Sequence, residues 1–201
     1  MWIIRQSEVT GILFGNTAGA SADIIGRMHD CKTESFTIVS SLKFWLANSG
    51  SRRTDMQEKK ILDATCGSRT IWFNKHHPAA VYCDKRKAEY EGLWKSQPGS
   101  KCVVNPDIQC DFTDLPFPDE SFSLVVFDPP HLMQVGKNSW LAKKYGKVDP
   151  NWKEMLHDGF QECMRVLKPD GVLIFKWSEY DIPATDVWKA IGRKPLFGHH
   201  S

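Results

Sequence analysis

Ser123-Leu124-Val125-Val126-Phe127-Asp128-Pro129-Pro130-His131 is the stretch whose reading decides the fold. Its apolar, β-branched first half reads as a buried strand, which stops at an acid followed by two prolines. Proline lacks the N–H that a sheet ladder needs, so the chain must leave the sheet there. Open α/β sheets bind ligands at the carboxyl ends of their strands. The pattern therefore predicts Asp128 at the rim of a pocket, on a turn stiffened by Pro129 and Pro130.

Asp128-Pro129-Pro130-His131 resembles motif IV of the S-adenosylmethionine (SAM)-dependent amino-methyltransferases, Asp/Asn-Pro-Pro-aromatic, with histidine in the aromatic position. The resemblance implies a use for rigidity. An exocyclic amino group on a nucleobase is a poor nucleophile, because its lone pair is delocalised into the ring. A fixed carboxylate and a fixed carbonyl that accept its two N–H bonds favour a more tetrahedral nitrogen, aimed at an electrophilic methyl. A strand that merely ends in a proline-rich turn is the competing account of these four residues.

Working outward, Lys60 to Ala64 reads as a strand, followed by the small-residue turn Thr65-Cys66-Gly67-Ser68-Arg69-Thr70. A strand, such a turn and a helix start bring backbone N–H groups close to a ligand. The segment resembles methyltransferase motif I in its Asp-x-x-Cys-Gly-Ser-Gly-Thr form, with Asp63, Cys66, Gly67, Ser68 and Thr70 in place and Arg69 where that form has its second glycine. Arg69 is then either a guanidinium that binds the cofactor's carboxylate or a surface arginine on a first helical turn. A short helix is expected after the turn, ended by Pro78. Ala80 to Asp84 is the next strand, and its terminal acid stands about twenty residues after Asp63. An acid at that place can accept both ribose hydroxyls of a nucleoside cofactor; a plain cap after the strand is the competing account. An exposed helix is expected over 85–95.

Ile108 to Phe112 reads as a third strand, followed by Thr113-Asp114-Leu115-Pro116-Phe117 and an acidic turn. This too resembles the methyltransferases, and the resemblance implies that Asp111 accepts the adenine amino group while Phe112 packs near the ring. Leu115, Phe117 and Phe122 are expected in the core. Leu132 to Val148 carries glycines, cations and aromatics, and is either a substrate lid or a solvated basic loop. As a lid it offers Lys137, Lys143 and Lys144 to phosphate and Trp140 and Tyr145 to bases. A helix is expected from Asp149-Pro150, its face Trp152, Met155, Leu156, Phe160, Cys163, Met164 and Leu167 assigned to the core. The turn Lys168-Pro169-Asp170-Gly171 and the strand Val172 to Trp177 complete a third methyltransferase-like pattern.

With 201 residues the chain can hold one domain plus an appendage. Residues 1–55 are expected to form an N-terminal appendage with a helix over 35–48, serving either as an edge cover or as a substrate arm. Residues 56–201 form the main domain. Past Ile182 about twenty residues remain, too few for a helix and two more strands, so the sheet is expected to lack its C-terminal hairpin. A net charge of +2 does not by itself mark a nucleic-acid binder. No apolar run approaches the ~20 residues of a membrane span. Six cysteines without a Cys-x-x-Cys pair read as reduced thiols of a cytoplasmic protein, and no metal site is expected.

The resemblance covers roughly residues 58–182. It implies an α/β, Rossmann-like class I methyltransferase sheet of mostly parallel strands with helices on both faces, akin to small bacterial and phage enzymes carrying Asp-Pro-Pro-His. It implies SAM as cofactor, held by Asp63, Thr65, Cys66, Gly67, Arg69, Asp84, Asp111 and Phe112. Asp128, Pro129, Pro130 and His131 would carry catalysis on an amino nitrogen of adenine or cytosine in DNA or RNA. The alternatives are a small-molecule or protein acceptor, or a non-catalytic binding module.

Overall fold

The computed structural model describes residues 1–5, 59–92, 99–136 and 138–198. The expected helix over 35–48 and Lys137 lie outside the described residues. Strands β1 (Trp2–Arg5), β2 (Ile61–Asp63), β3 (Ala80–Asp84), β6 (Ile108–Gln109), β7 (Phe122–Phe127), β8 (Leu167–Phe175) and β9 (Phe197–Gly198) form one sheet. Their order is β6-β3-β2-β7-β8-β1-β9. Strands β4 (Ala88–Glu91) and β5 (Lys101–Val104) pair separately, and the helices are α1 (Trp140–Tyr145), α2 (Trp152–Val166) and α3 (Ala184–Ile191).

Five neighbouring strands, β6, β3, β2, β7 and β8, run parallel, and β1 joins β8 antiparallel with β9 on its far side. Parallel strands are covered on both faces, which is why β3 and the second half of β7 are continuous buried runs. The chain moves outward from β2 through β3 to β6, then returns to place β7 on the other flank of β2. That reversal opens a crevice at the carboxyl ends of β2 and β7. Asp128 lies at this point, its N–H bonded to Thr65 Oγ1 at 2.8 Å.

Phe127 and Phe175 are cross-strand partners on one face. Phe127 lies against Gly159 of α2, and Phe175 meets Trp188 of α3 edge-on at 5.4 Å. Both long helices thus cover the same face. Burying each such aromatic contributes roughly 1.5–3 kcal/mol. Leu115, Phe117 and Phe122 are buried as expected.

Several local expectations are corrected. Helices on both faces are not seen among the described residues. The face bearing Asp63 and Tyr82 is covered by turns over 64–79, where a short helix was expected. Arg69 explains the departure: its φ of +54° is left-handed, which no right-handed helix admits. Where a helix was expected over 85–95, Ala88–Glu91 form β4, and residues 93–95 lie outside the described residues. Ala88 and Tyr90 are half-buried while Glu89 and Glu91 are exposed, a period of two, and Lys101 of β5 pairs with both glutamates.

The main helix begins after Asn151, and Asp149 accepts the Asn151 N–H at 2.9 Å instead of capping the helix itself. Lys168 to Gly171 interrupts the β7–β8 register, which passes from Phe122↔Leu167 to Leu124↔Val172. The sheet was expected to end at the fifth strand, without a C-terminal hairpin; beside β8 it instead continues with β1 from the N-terminus, and with β9 beyond it. Trp2–Arg5 pair with Val172–Phe175, so these residues belong to the main sheet and not to an appendage. No helix among the described residues is long and apolar enough to cross a membrane, and no cluster of three or more His, Cys, Asp or Glu suited to a metal occurs there.

Candidate functional site

A cavity of about 460 Å³ opens at the carboxyl ends of the parallel strands. The loop after β2 forms one wall with Thr65, Cys66 and Gly67; the ends of β3 and β6 bring Asp84, Asp111 and Phe112. Asp128, Pro129, Pro130 and His131 form the side beyond β7, and Lys144 and Tyr145 of α1 close over it. The volume falls in the range of roughly 300–1,000 Å³ usual for small-ligand sites.

Asp84 anchors the loop: its Oδ2 accepts the Gly67 N–H at 2.9 Å, while Oδ1 accepts the Arg86 backbone N–H at 2.8 Å and its Nε at 3.2 Å. Gly67 sits at φ +51°, a conformation that glycine adopts without steric cost. Asp111 accepts from Thr113 N–H and Oγ1 and pairs with Lys85 at 2.7 Å. Partial burial pushes the Asp111 carboxyl up, but Lys85 and Thr113 together hold it below its ordinary value. Phe112 packs edge-on against Phe127 at 5.3 Å.

Two of the expected cofactor residues stand elsewhere. Asp63 is 1% exposed and does not line the cavity; it accepts the Trp72 indole N–H at 2.6 Å and the Thr65 N–H at 3.2 Å. Burial, reinforced by the nearby Asp128 and Asp84, pushes its carboxyl up to about 7 against these hydrogen bonds. Arg69 also points away from the cavity. It donates to Lys75 O at 2.7 Å, Asn105 O at 2.9 Å and Asp107 Oδ1 at 2.9 Å, and lies 3.8 Å over the Tyr82 ring. At 8% exposed it is neither a surface arginine nor a ligand for the cavity's contents. It is a buried clamp that ties the loop to the segment between β5 and β6.

Cys66 lines the cavity as a neutral thiol, since burial first, then Asp63 and Asp84, push it up to about 12. The five described cysteines are free. His131 stays below its ordinary value because of burial, which outweighs the opposing pull of Asp128. Its ring lies 5.9 Å from that of Trp177 and 6.3 Å from that of Tyr145.

The loop expected over 132–148 contains α1, capped by Ser139, whose Oγ accepts the Ala142 N–H at 3.1 Å. Lys144 and Tyr145 reach the cavity, whereas Trp140 and Lys143 do not. Lys143 instead offers its carbonyl to Arg86 Nη1 at 3.2 Å, joining α1 to the end of β3.

Sequence reasoning missed Arg86, three residues of α2 and Lys176. Arg86 lines the cavity between Asp84 and α1, and a dibasic Lys85-Arg86 pair after a strand acid was its only signal. Met155, assigned to the core, lines the cavity together with Glu154 and Asp158 from the same helix. Lys176, one residue past β8, holds both oxygens of Asp128 at 3.1 and 2.9 Å. A lone lysine in the apolar run Val172 to Trp177 was the available hint.

No protein-family model matches the chain, and neither a curated protein nor a solved structure matches it.

Proposed function

We propose that this chain is a SAM-dependent methyltransferase acting on an exocyclic amino nitrogen of adenine or cytosine in DNA or RNA. One observation carries this: Asp84, Asp111 and Asp128, following three separate parallel strands, face a single cavity beside the Gly67 loop. Bound there, SAM would supply an electrophilic methyl group. Asp84 would take the ribose hydroxyls by giving up its longer Arg86 contacts, at 3.2 and 3.4 Å, while keeping the Gly67 N–H, because a carboxylate offers about four acceptor sites and Gly67 and Arg86 together occupy them. Asp111 and Phe112 would hold the adenine, and the turn from Thr65 to Gly67 would receive the methionine part.

On the acceptor side, Asp128 is immobilised by Thr65 and Lys176 before any base arrives. Its carboxylate and the Pro129 carbonyl accept the two amino N–H bonds, and little reorganisation is left for the reaction itself. The neutral His131 ring offers a face for the base, backed by Trp177 and Tyr145. A duplex target requires the base to be flipped out, at a cost of about a few kcal/mol.

The test is labelled-methyl transfer to DNA and RNA by the wild type and Asp128→Ala. Transfer should vanish in the variant while SAM binding persists; undiminished transfer by Asp128→Ala would refute the mechanism.

A small-molecule acceptor is the second reading, favoured by the acids Asp149, Glu154 and Asp158 on the cavity wall, which repel phosphate. Label recovered in low-mass products and absent from nucleic acid would select it.

A further inference from the structure

We infer that Lys176 is a specificity residue that restricts the acceptor to an amidine edge, an amino group beside an unprotonated ring nitrogen, as on adenine N6/N1 or cytosine N4/N3. This rests on the proposed amino-methyltransferase function and deepens it. Lys176 follows β8, and its backbone N–H is held by Phe127 O at 2.9 Å, so the base of its side chain is fixed beside the end of β7. Its ammonium bonds both Asp128 oxygens, at 3.1 and 2.9 Å. An ammonium has three N–H donors, and these two bonds leave a third. Asp128 lines the cavity and Lys176 stands behind it; their side chains are 20% and 43% exposed, so the ammonium is not sealed from an incoming group.

Asp128 can only accept and Lys176 can only donate. Side by side, they present an acceptor–donor pair that complements a donor–acceptor edge. On guanine the N2/N1–H edge would set an N–H against the ammonium, and the one matching edge, N2/N3, adjoins the sugar. An analogue lacking the ring nitrogen forfeits the hydrogen bond to this charged donor. Lys176 thereby acts as a positioning residue for Asp128 and as a direct contact for the base.

Methyl transfer is compared for oligonucleotides carrying adenine or 1-deazaadenine, and cytosine or 3-deazacytosine, with the wild type, Lys176→Met and Lys176→Arg. The deaza analogues keep the amino group and lose only the ring acceptor. In the wild type, kcat/KM for the accepted base should fall by about tenfold or more on deaza substitution, the size expected of a hydrogen bond to a charged group. In Lys176→Met the penalty should shrink to about the intrinsic difference between the two amines, and Lys176→Arg should restore much of it. A lysine that only steadies Asp128 would slow both substrates equally and leave their ratio unchanged, which overturns the inference while the methyltransferase function stands. Absence of transfer to any amino nucleobase by the wild type would overturn both.

Discussion

Trp72 donates its indole N–H to Asp63 Oδ2 at 2.6 Å, and the pair lies beneath the ligand loop instead of within it. Burial pushes the Asp63 carboxyl from 3.8 to about 7. A group whose folded value is raised contributes stability that is complete below its unfolded value and is lost as pH rises through the folded one. Asp63→Asn removes this dependence. Relative to the wild type, the variant should therefore gain on the order of 3 kcal/mol between pH 5 and 8 in urea denaturation. A stability difference that does not move with pH would contradict this burial.

Arg69 carries two separable effects. Removing its guanidinium breaks the bonds to Lys75, Asn105 and Asp107 and the contact with Tyr82. Arg69→Ala should cost about 2–4 kcal/mol of stability. Arg69→Gly should be less damaging by roughly 1 kcal/mol, because glycine tolerates the φ of +54° at this position. Denaturation of both variants checks the order. A surface arginine would show no loss in either.

Gly159 lets α2 approach the cavity wall, since a Cβ there would collide with the Phe112 ring and press on Phe127. Gly159→Ala should destabilise the protein by about 1–3 kcal/mol through overpacking and should displace Phe112. The combined readout is denaturation together with weaker SAM binding. Loss of stability with unchanged affinity would remove Phe112 from the cofactor site.

His131 should titrate below 6.5, its ordinary value, because burial first and then Lys176 disfavour the imidazolium. Lys176→Met should raise the midpoint, as Asp128 and Asp181 then act unopposed by that cation. Proton NMR of the imidazole resonances measures both. A wild-type midpoint above 6.5, or a fall in the variant, would contradict the geometry.

The central strands were legible because burial on both faces leaves unbroken apolar runs such as Val81 to Cys83 and Leu124 to Phe127. Acids ending those runs marked Asp84, Asp111 and Asp128, which do share the cavity. Asp63 ends a strand too, but it lies level with Tyr82 and Val126, two residues short of Asp84 and Asp128, where Trp72 takes up its carboxyl. The segment 85–95 carried charges at spacings compatible with a helix, and pairing with Lys101 to Val104 makes Ala88 to Glu91 a strand. Trp2 to Arg5 is too short to announce itself, and its partner β8 lies at the far end of the chain. Lys176 and Arg86 owe their roles to neighbours brought close by folding, which no local pattern encodes.

The most direct measurement is a calorimetric titration of SAM into the wild-type protein and into Asp111→Ala. The account predicts saturable one-site binding to the wild type, weakened about tenfold or more in the variant by loss of a charged hydrogen-bond acceptor. Absence of binding to the wild type, or equal affinity in the two proteins, would contradict it.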